Sequence, residues 1–271
     1  MTLPKNSENM CILVMSCDKY ADCWIPFSMC IQKYWPDCTF PVYLATETLS
    51  TPANTVFKKT FHSNNFWWTA RVREACQKIE EPYILFVLED QWLSKKLQTS
   101  SIQEILAMMQ RDTSLGTVYL DYSIKHKTAW NGNTLFSEIP AGVPYRLSAG
   151  PSIWRRDFLL TALAEDADAW NFERVQSFSP ATYNSTVLAS NNAIYSRVPP
   201  LGAIRRGKWE PSIPKFAREN NLPIDFSIRK TITCQEQIQV ALKSFIFNLN
   251  PSLIVNVQNH LYNWNRKRKK D

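Results

Sequence analysis

The sequence predicts an α/β protein with a mostly parallel central sheet flanked by helices and a helical C-terminal extension. Three observations lead there. Short apolar runs alternate with stretches of helical spacing through the first half of the chain. One run, Tyr83 to Leu88, is almost wholly apolar and too short for a helix, as expected of a strand buried on both faces. The 271 residues, 45% hydrophobic and 20% charged, can bury a substantial core and contain no Gly-, Ser- or Gln-rich tract. One domain with an extension is expected, rather than two independent domains.

In chain order, Cys11 to Met15 is a short apolar run that ends in polar Ser16-Cys17-Asp18-Lys19-Tyr20, and helical spacing follows through Trp35. This is a β-loop-α unit. Phe40 to Leu44 is a second strand, followed by a polar, Thr-rich loop. Val72, Cys76 and Ile79 recur at helical spacing ahead of the Tyr83–Leu88 strand, which ends abruptly in Glu89-Asp90. Ser101-Ile-Gln-Glu104 has the form of a capping box before a helix carrying Ile105, Leu106 and Met109. Gly116 to Tyr122 forms another strand, ending near Asp121. Residues 123 to 148 lack periodicity and suggest a long functional loop or a small hairpin. Trp154 to Ala164 and Asp168 to Gln176 read as helices, and Tyr195 to Leu201 as a short strand before the basic turn Arg205-Arg206-Gly207-Lys208-Trp209. Thr233-Cys-Gln-Glu236 is a second capping box, leading a helix with Ile238, Leu242, Phe245 and Leu249 on one face.

The seven cysteines are odd in number and form no C-x-x-C pair, so they read as reduced core residues, which favours the cytosol. The amino terminus lacks the apolar run of a secretory signal, and no stretch reaches the roughly 18 apolar residues a spanning helix needs. An exported or integral membrane protein is not expected. The net charge of +7 is unevenly placed, because Arg266 to Lys270 crowd the last six positions, which suits an anionic surface. Leu249, Leu253, Ile254 and Val257 with Tyr262 and Trp264 would seat beside that cluster as a peripheral membrane anchor, interrupted by Pro251. A solvated basic terminus is the other reading.

Ligands of parallel sheets bind beyond the carboxyl ends of the strands, so Ser16 to Tyr20, Glu89-Asp90 and Asp121-Tyr122 should converge. Acids at such an end can hold Mg²⁺ or Mn²⁺ against a diphosphate, or simply cap the strand and pair with Arg71 or Arg73. Trp130, Trp154 and Trp209 are candidate stacking platforms for sugars, or core residues. His62, His126 and His260 lack metal-ligand spacing and take no role.

Taken together and in order, several motifs resemble a family of GT-A-like glycosyltransferases of bacterial capsule, O-antigen and other polysaccharide gene clusters. They are Ser16-Cys-Asp-Lys-Tyr20 with Trp24, Lys33-Tyr-Trp-Pro36, Tyr83 to Asp90, Pro151-Ser-Ile-Trp-Arg-Arg156 and Ala169-Trp-Asn-Phe-Glu173, spread over residues 10 to 210. The resemblance implies a Rossmann-like nucleotide-binding half (10–122), an acceptor half (123–230), and a C-terminal helix and basic tail (231–271). It implies transfer of a hexose, galactose-type by the same likeness, from a UDP-sugar to a glycan or lipid-linked acceptor at the cytoplasmic membrane face. Ser16, Asp18, Lys19 and Tyr20 would meet the nucleoside and Arg71 the diphosphate. Glu89 and Asp90 would stand where the family's metal motif lies. Glu89-Asp90-Gln91 departs from D-x-D, so either Mn²⁺ or Mg²⁺ on Glu89 and Asp90, or basic residues such as Arg205, Arg206 or Lys208, would meet the leaving group. An inverting transferase also needs a carboxylate base, for which Glu173, flanked by Trp170 and Phe172, is preferred over Asp168. The alternative for Glu173 is a local pairing with Arg174 or Arg156. Trp154, Trp130 and Arg155 would contact the acceptor. Other readings are a catalytically inactive scaffold of a polysaccharide assembly complex, a phosphotransferase on the same nucleotide site, and a nucleic-acid-binding protein. The last is suggested by a pI near 9.0 but opposed by basic residues that are not interleaved with aromatics, so no nucleic acid is expected as a partner.

Overall fold

The computed structural model describes residues 9–121, 126–199, 202–233 and 235–236. The first half runs β1 (Met10–Met15), a 3-10 turn (Asp18–Cys23), α1 (Trp24–Tyr34), β2 (Val42–Thr46), β3 (Phe57–His62), α2 (Trp68–Gln77), β4 (Tyr83–Leu88), α3 (Thr99–Arg111) and β5 (Leu115–Tyr119). The second half adds β6 (Thr128–Trp130), β7 (Asn133–Glu138), β8 (Ser152–Arg155), α4 (Arg156–Ala162), α5 (Ala169–Val175) and β9 (Thr186–Ser190). A small hairpin, β10 (Ile204–Arg205) and β11 (Lys208–Trp209), and α6 (Ile213–Asn220) follow.

Among the described residues the main sheet has nine strands in the order β3-β2-β1-β4-β8-β5-β9-β7-β6. It is an α/β sheet with a parallel core: β1 pairs in parallel with β2 and β4, β2 with β3, and β5 with β9. The sheet is mixed because β8 runs antiparallel between β4 and β5, and β7 and β6 close the far edge antiparallel. β1 to β5 and β9 therefore end on one edge, where β8 begins.

Both faces are covered. Alternate residues of β1 point to opposite cores: Met10, Ile12 and Val14 meet Trp24, Phe27 and Ile31 of α1 and Ile102, Ile105 and Leu106 of α3. Cys11, Leu13 and Met15 share the other core with Val72 and Cys76 of α2, Phe158 and Leu159 of α4, and Phe172 of α5. Burial on both sides is why β1 and β4 read as continuous apolar runs, each large side chain contributing about 1.5–3 kcal/mol.

Several local expectations change. Trp154 belongs to β8, and the helix begins only at Arg156. The Thr-rich stretch after β2 leads into a strand, β3, whose Lys58 and Lys59 are exposed at the sheet edge. Of the expected 195–201 strand, residues 195–199 are described, and among them the pairing is a bridge, Leu93 to Arg197; 200 and 201 lie outside the described residues. α3 begins at Thr99, so Ser101 lies inside the helix; its N-terminus is capped from a distance by Asp37, which accepts from the Thr99 N–H at 3.0 Å. The 123–148 stretch does hold a hairpin, turned by Asn131 and Gly132, both with positive φ (48° and 70°), the pairing that a type I′ turn demands. Thr233 and Glu236 make the reciprocal bonds of a capping box, the Glu236 N–H reaching Thr233 Oγ1 at 3.3 Å and the Thr233 N–H reaching Glu236 Oε2 at 2.9 Å. The helical residues after it and the basic tail lie outside the described residues, as does Cys234. The six described cysteines are free thiols, and no described helix is long and apolar enough to cross a membrane.

Candidate functional site

β1 neighbours β2 on one side and β4 on the other, so the direction of winding reverses between β1 and β4. A crevice at the carboxyl ends of those strands is where an open α/β sheet binds its ligand. The residues that leave β1 here are polar and already organised. Ser16 Oγ accepts from Trp24 Nε1 at 2.8 Å. The Asp18 carboxylate accepts from Thr46 Oγ1 (2.9 Å), the N–H groups of Thr48 (3.0 Å) and Leu49 (3.1 Å), and the Thr48 hydroxyl. Desolvation is the largest influence on Asp18 and acts upward, but the bonds from Thr48, Leu49 and Thr46 outweigh it and hold the carboxyl well below the usual range. The Asp18 N–H in turn donates to Glu47 Oε2 at 2.8 Å, and Glu47 pairs with Arg71 from α2. Arg71 keeps a buried Nε without a hydrogen-bond partner among the described residues, a donor that a bound anion would satisfy.

The end of β4 is more enclosed. Glu89 and Asp90 are each only 8% exposed. Burial, and then the adjacent Asp90 charge, push the Glu89 carboxyl well above the usual range. Burial likewise raises Asp90, opposed by the Ile204 N–H and by the Arg197 charge. Ile204 N donates to Asp90 Oδ2 at 3.0 Å, and Ala203 N to the Asp90 carbonyl at 2.7 Å. Gly202 makes this contact possible: at φ 109° a β-carbon would lie 2.5 Å from Asp90 Oδ2. Gly202→Ala is expected to cost about 2–3 kcal/mol through backbone strain and overpacking. Urea unfolding measures this, and a cost below about 0.5 kcal/mol would mean that the loop relaxes freely.

Two arginines from distant segments complete this edge. Arg197 pairs with Asp121 at the end of β5, Nε to Oδ2 at 3.0 Å. Arg229 grips Asp22 through Nε (2.7 Å) and an Nη (2.8 Å), donates to the Lys19 carbonyl, and lies over the Tyr20 ring, 4.5 Å from its centroid. At the amino end of β8, Glu173 Oε1 accepts from Ser148 Oγ and the Ala149 N–H, both at 2.8 Å. Burial raises the Glu173 carboxyl, opposed by those two bonds and by the Arg197 charge. Arg197 thus acts on both Asp90 and Glu173. Arg197, Arg229, Glu47, Ser148 and Gly202 have no signature in the sequence, because each meets its partner only through the fold.

Other expected site residues are placed elsewhere, and these placements are corrections. Trp154 is 1% exposed, stacked on Phe158 and edge-on to Tyr119, so both ring faces belong to the core. Trp209 is likewise buried, against Trp92. Arg155 sits at the opposite edge of the sheet, opposite Tyr83 at the start of β4, donating to the Met109 carbonyl at 2.7 Å. Trp130 lies on β6 at the far edge of the sheet. Asp168 caps α5, accepting from the Asn171 N–H at 2.8 Å, and is spent on that cap. Lys208 pairs with Glu236 and Arg205 with Glu210, while Arg206 occupies a hairpin turn at φ 53°. Lys19 is exposed beside the crevice, with only its carbonyl engaged by Arg229.

A divalent cation on Glu89 and Asp90 fits these residues poorly. One Asp90 oxygen is taken by the Ile204 N–H, and Gly202 closes over the carboxylate. Among the described residues, no three His, Cys, Asp or Glu side chains cluster as metal ligands. Arg197 and Arg229 supply fixed positive charge in the same neighbourhood.

No protein-family model matches the chain, and no curated protein matches it. Solved structures offer distant likenesses. A CMP:2-keto-3-deoxy-manno-octonic acid synthetase complexed with CTP has a TM-score of 0.43 at 13% identity, covering 69% of this chain and 93% of its own. S. aureus TarS has a TM-score of 0.45 at 12% identity, covering 68% of this chain and 36% of TarS. A cytidylyltransferase from Leptospira borgpetersenii serovar Hardjo-bovis has a TM-score of 0.44 at 9% identity, covering 70% and 78%. Likenesses this distant assign neither a reaction nor a ligand.

Proposed function

We propose that the chain is a nucleotide-sugar-dependent glycosyltransferase that holds its donor in the crevice between β1 and β4 and activates an acceptor hydroxyl at Glu173. The observation that carries this reading is the meeting of Glu173 and Arg197 around the 148–150 loop: Ser148 Oγ donates to Glu173 at 2.8 Å, and a β-carbon on Gly150 would lie 3.6 Å from that oxygen and 3.8 Å from Arg197 Nη2. The nucleoside is held by the loop from Ser16 to Tyr20, and the diphosphate faces Arg71, whose buried Nε it would satisfy. Glu173, its carboxyl raised by burial, takes the acceptor proton as the hydroxyl oxygen attacks the anomeric carbon. The bond from that carbon to the diphosphate oxygen breaks, and inversion results. Arg71 and Arg197 stabilise the charge that develops on the leaving diphosphate, the role first sought in Arg205, Arg206 and Lys208. No step runs through Mn²⁺ or Mg²⁺. The donor class is a UDP-hexose, galactose-type by family resemblance. The acceptor is a glycan or lipid-linked saccharide of a bacterial surface polysaccharide, met at the cytoplasmic face of the membrane.

Thermal unfolding with UDP, UDP-sugars and other nucleotides, with and without Mn²⁺, tests the reading. A ligand at about 100 times its Kd adds about 2.7 kcal/mol, a rise of about 5 °C or more for a chain of this size. UDP or one UDP-sugar is expected to give that shift, and Arg71→Ala, which removes the group facing the diphosphate, to lose most of it. No shift with any nucleotide, metal present or absent, would sink the proposal. A second reading, an inactive scaffold of the same fold, is favoured by the closure of Gly202 over Asp90. Its sign is a donor shift without donor hydrolysis or transfer across a wide acceptor panel.

A further inference from the structure

Phe66 and Trp170 are large aromatic side chains left 78% and 68% exposed. Exposed apolar side chains point to binding when they gather on one surface rather than lie scattered singly. Phe66 packs edge-on against Trp67, centroids 5.0 Å apart. Trp67 stands at the N-cap position of α2, one turn before Arg71, whose N–H donates to the Trp67 carbonyl at 3.1 Å. Trp170 lies in the first turn of α5, three residues before Glu173, so the two share a helix face. The starts of the two helices are fastened together. Thr69 N–H donates to the Ala167 carbonyl (3.0 Å), Ala167 N–H to Thr69 Oγ1 (2.7 Å), and the Trp68 and Phe172 rings sit 5.4 Å apart. Each helix therefore carries an aromatic residue one turn ahead of the residue it brings to the crevice.

From this arrangement we infer that Phe66, Trp67 and Trp170 form a lip that stacks on the sugar rings of an uncharged saccharide acceptor. The inference rests on the transferase reading above. The chemistry of the surroundings selects the occupant. Asp168 is exposed two residues before Trp170, so an anionic lipid surface or an anionic glycan would be repelled. Arg71 faces the crevice, and the other nearby arginines are held by protein groups: Arg73 by Asp166 and the Leu163 carbonyl, and Arg174 by the Trp170 carbonyl. Exposed Asn64 adds a neutral hydrogen-bonding group on the same loop. Flat apolar rings beside neutral polar groups match the CH faces and hydroxyls of a neutral sugar.

The test is saturation-transfer NMR on the full chain with maltotriose, cellotriose and triacetylchitotriose, alongside the UDP midpoint shift. The wild type is expected to saturate ring protons of at least one trisaccharide. The double variant Phe66→Ala/Trp170→Ala should weaken that binding about tenfold or more, while Trp170→Phe keeps it and UDP binding is unchanged in both. Both residues are exposed, so folding should survive, and circular dichroism checks it. Absence of any trisaccharide signal, or a signal the double variant leaves intact, overturns the inference. So does lip-dependent binding to vesicles of phosphatidylcholine with phosphatidylglycerol, or lip-dependent self-association in sedimentation. Loss of the UDP shift with lip-dependent saccharide binding retained would instead overturn the transferase reading and leave the lip as a saccharide surface.

Discussion

Glu173→Gln is expected to lower transfer turnover by about 10²–10⁴-fold, the usual contribution of a positioned general base. The amide keeps the size of the side chain, and its oxygen can still accept from Ser148 Oγ and the Ala149 N–H. The loop at the start of β8 should therefore stay in place, and the UDP-induced midpoint shift should be unchanged. The informative comparison is kcat against donor affinity in one preparation, because a loss confined to kcat isolates the proton-taking role. A second signature lies in pH. A base must be ionised to act, so the acid limb of the rate profile should disappear in the variant. Turnover within about threefold of wild type would remove Glu173 from the chemistry and return it to holding the 148–150 loop.

The second large effect belongs to Arg229. Its side chain is 5% exposed and holds Asp22, itself 15% exposed, through two nitrogens while covering Tyr20. Arg229→Ala strands the Asp22 carboxylate in a partly buried place, and removing one partner of such a pair costs about 3–5 kcal/mol. Arg229→Lys should recover only part of this, since an ammonium cannot reproduce the two-nitrogen grip. Asp22 and Lys19 belong to the 3-10 turn that follows β1, so donor binding should weaken along with stability. Urea unfolding reads the first effect and the UDP shift the second. A loss below about 1 kcal/mol would mean that water takes over the pairing.

How much of this was legible follows from how far apart the interacting residues are. β1 and β4 are buried on both faces, and their unbroken apolar runs announce them. The Asn131-Gly132 turn carries its hairpin on local chemistry. β3 and β9 stay hidden because an edge strand with two exposed lysines, and a five-residue strand in a Ser- and Thr-rich context, have no pattern of their own. β8 passes into α4 without an intervening turn, so Trp154 reads as helical although its backbone is paired on both sides. The carboxyl edge could be located from strand ends alone, which is why Ser16 to Tyr20 and Glu89-Asp90 mark it. The arginines could not be, since Arg197 reaches Asp121 across 76 residues and Arg229 reaches Asp22 across 207. Trp154 shows the converse: residue type suggests a sugar platform, but burial decides against it.

The reversed strand β8 also governs the order in which the sheet can be finished. β4 and β5 each present an unpaired side until residues 152–155 slot between them, and the other side of β5 waits for β9, so a nascent chain that ends at β5 exposes three unpaired strand sides. A fragment stopping at residue 121 should therefore aggregate rather than fold, and one continued to residue 236, which adds Tyr195, Trp209, Ile213 and Phe216 to the core, should not. The sheet at the crevice forms as a unit only once synthesis has passed its second half.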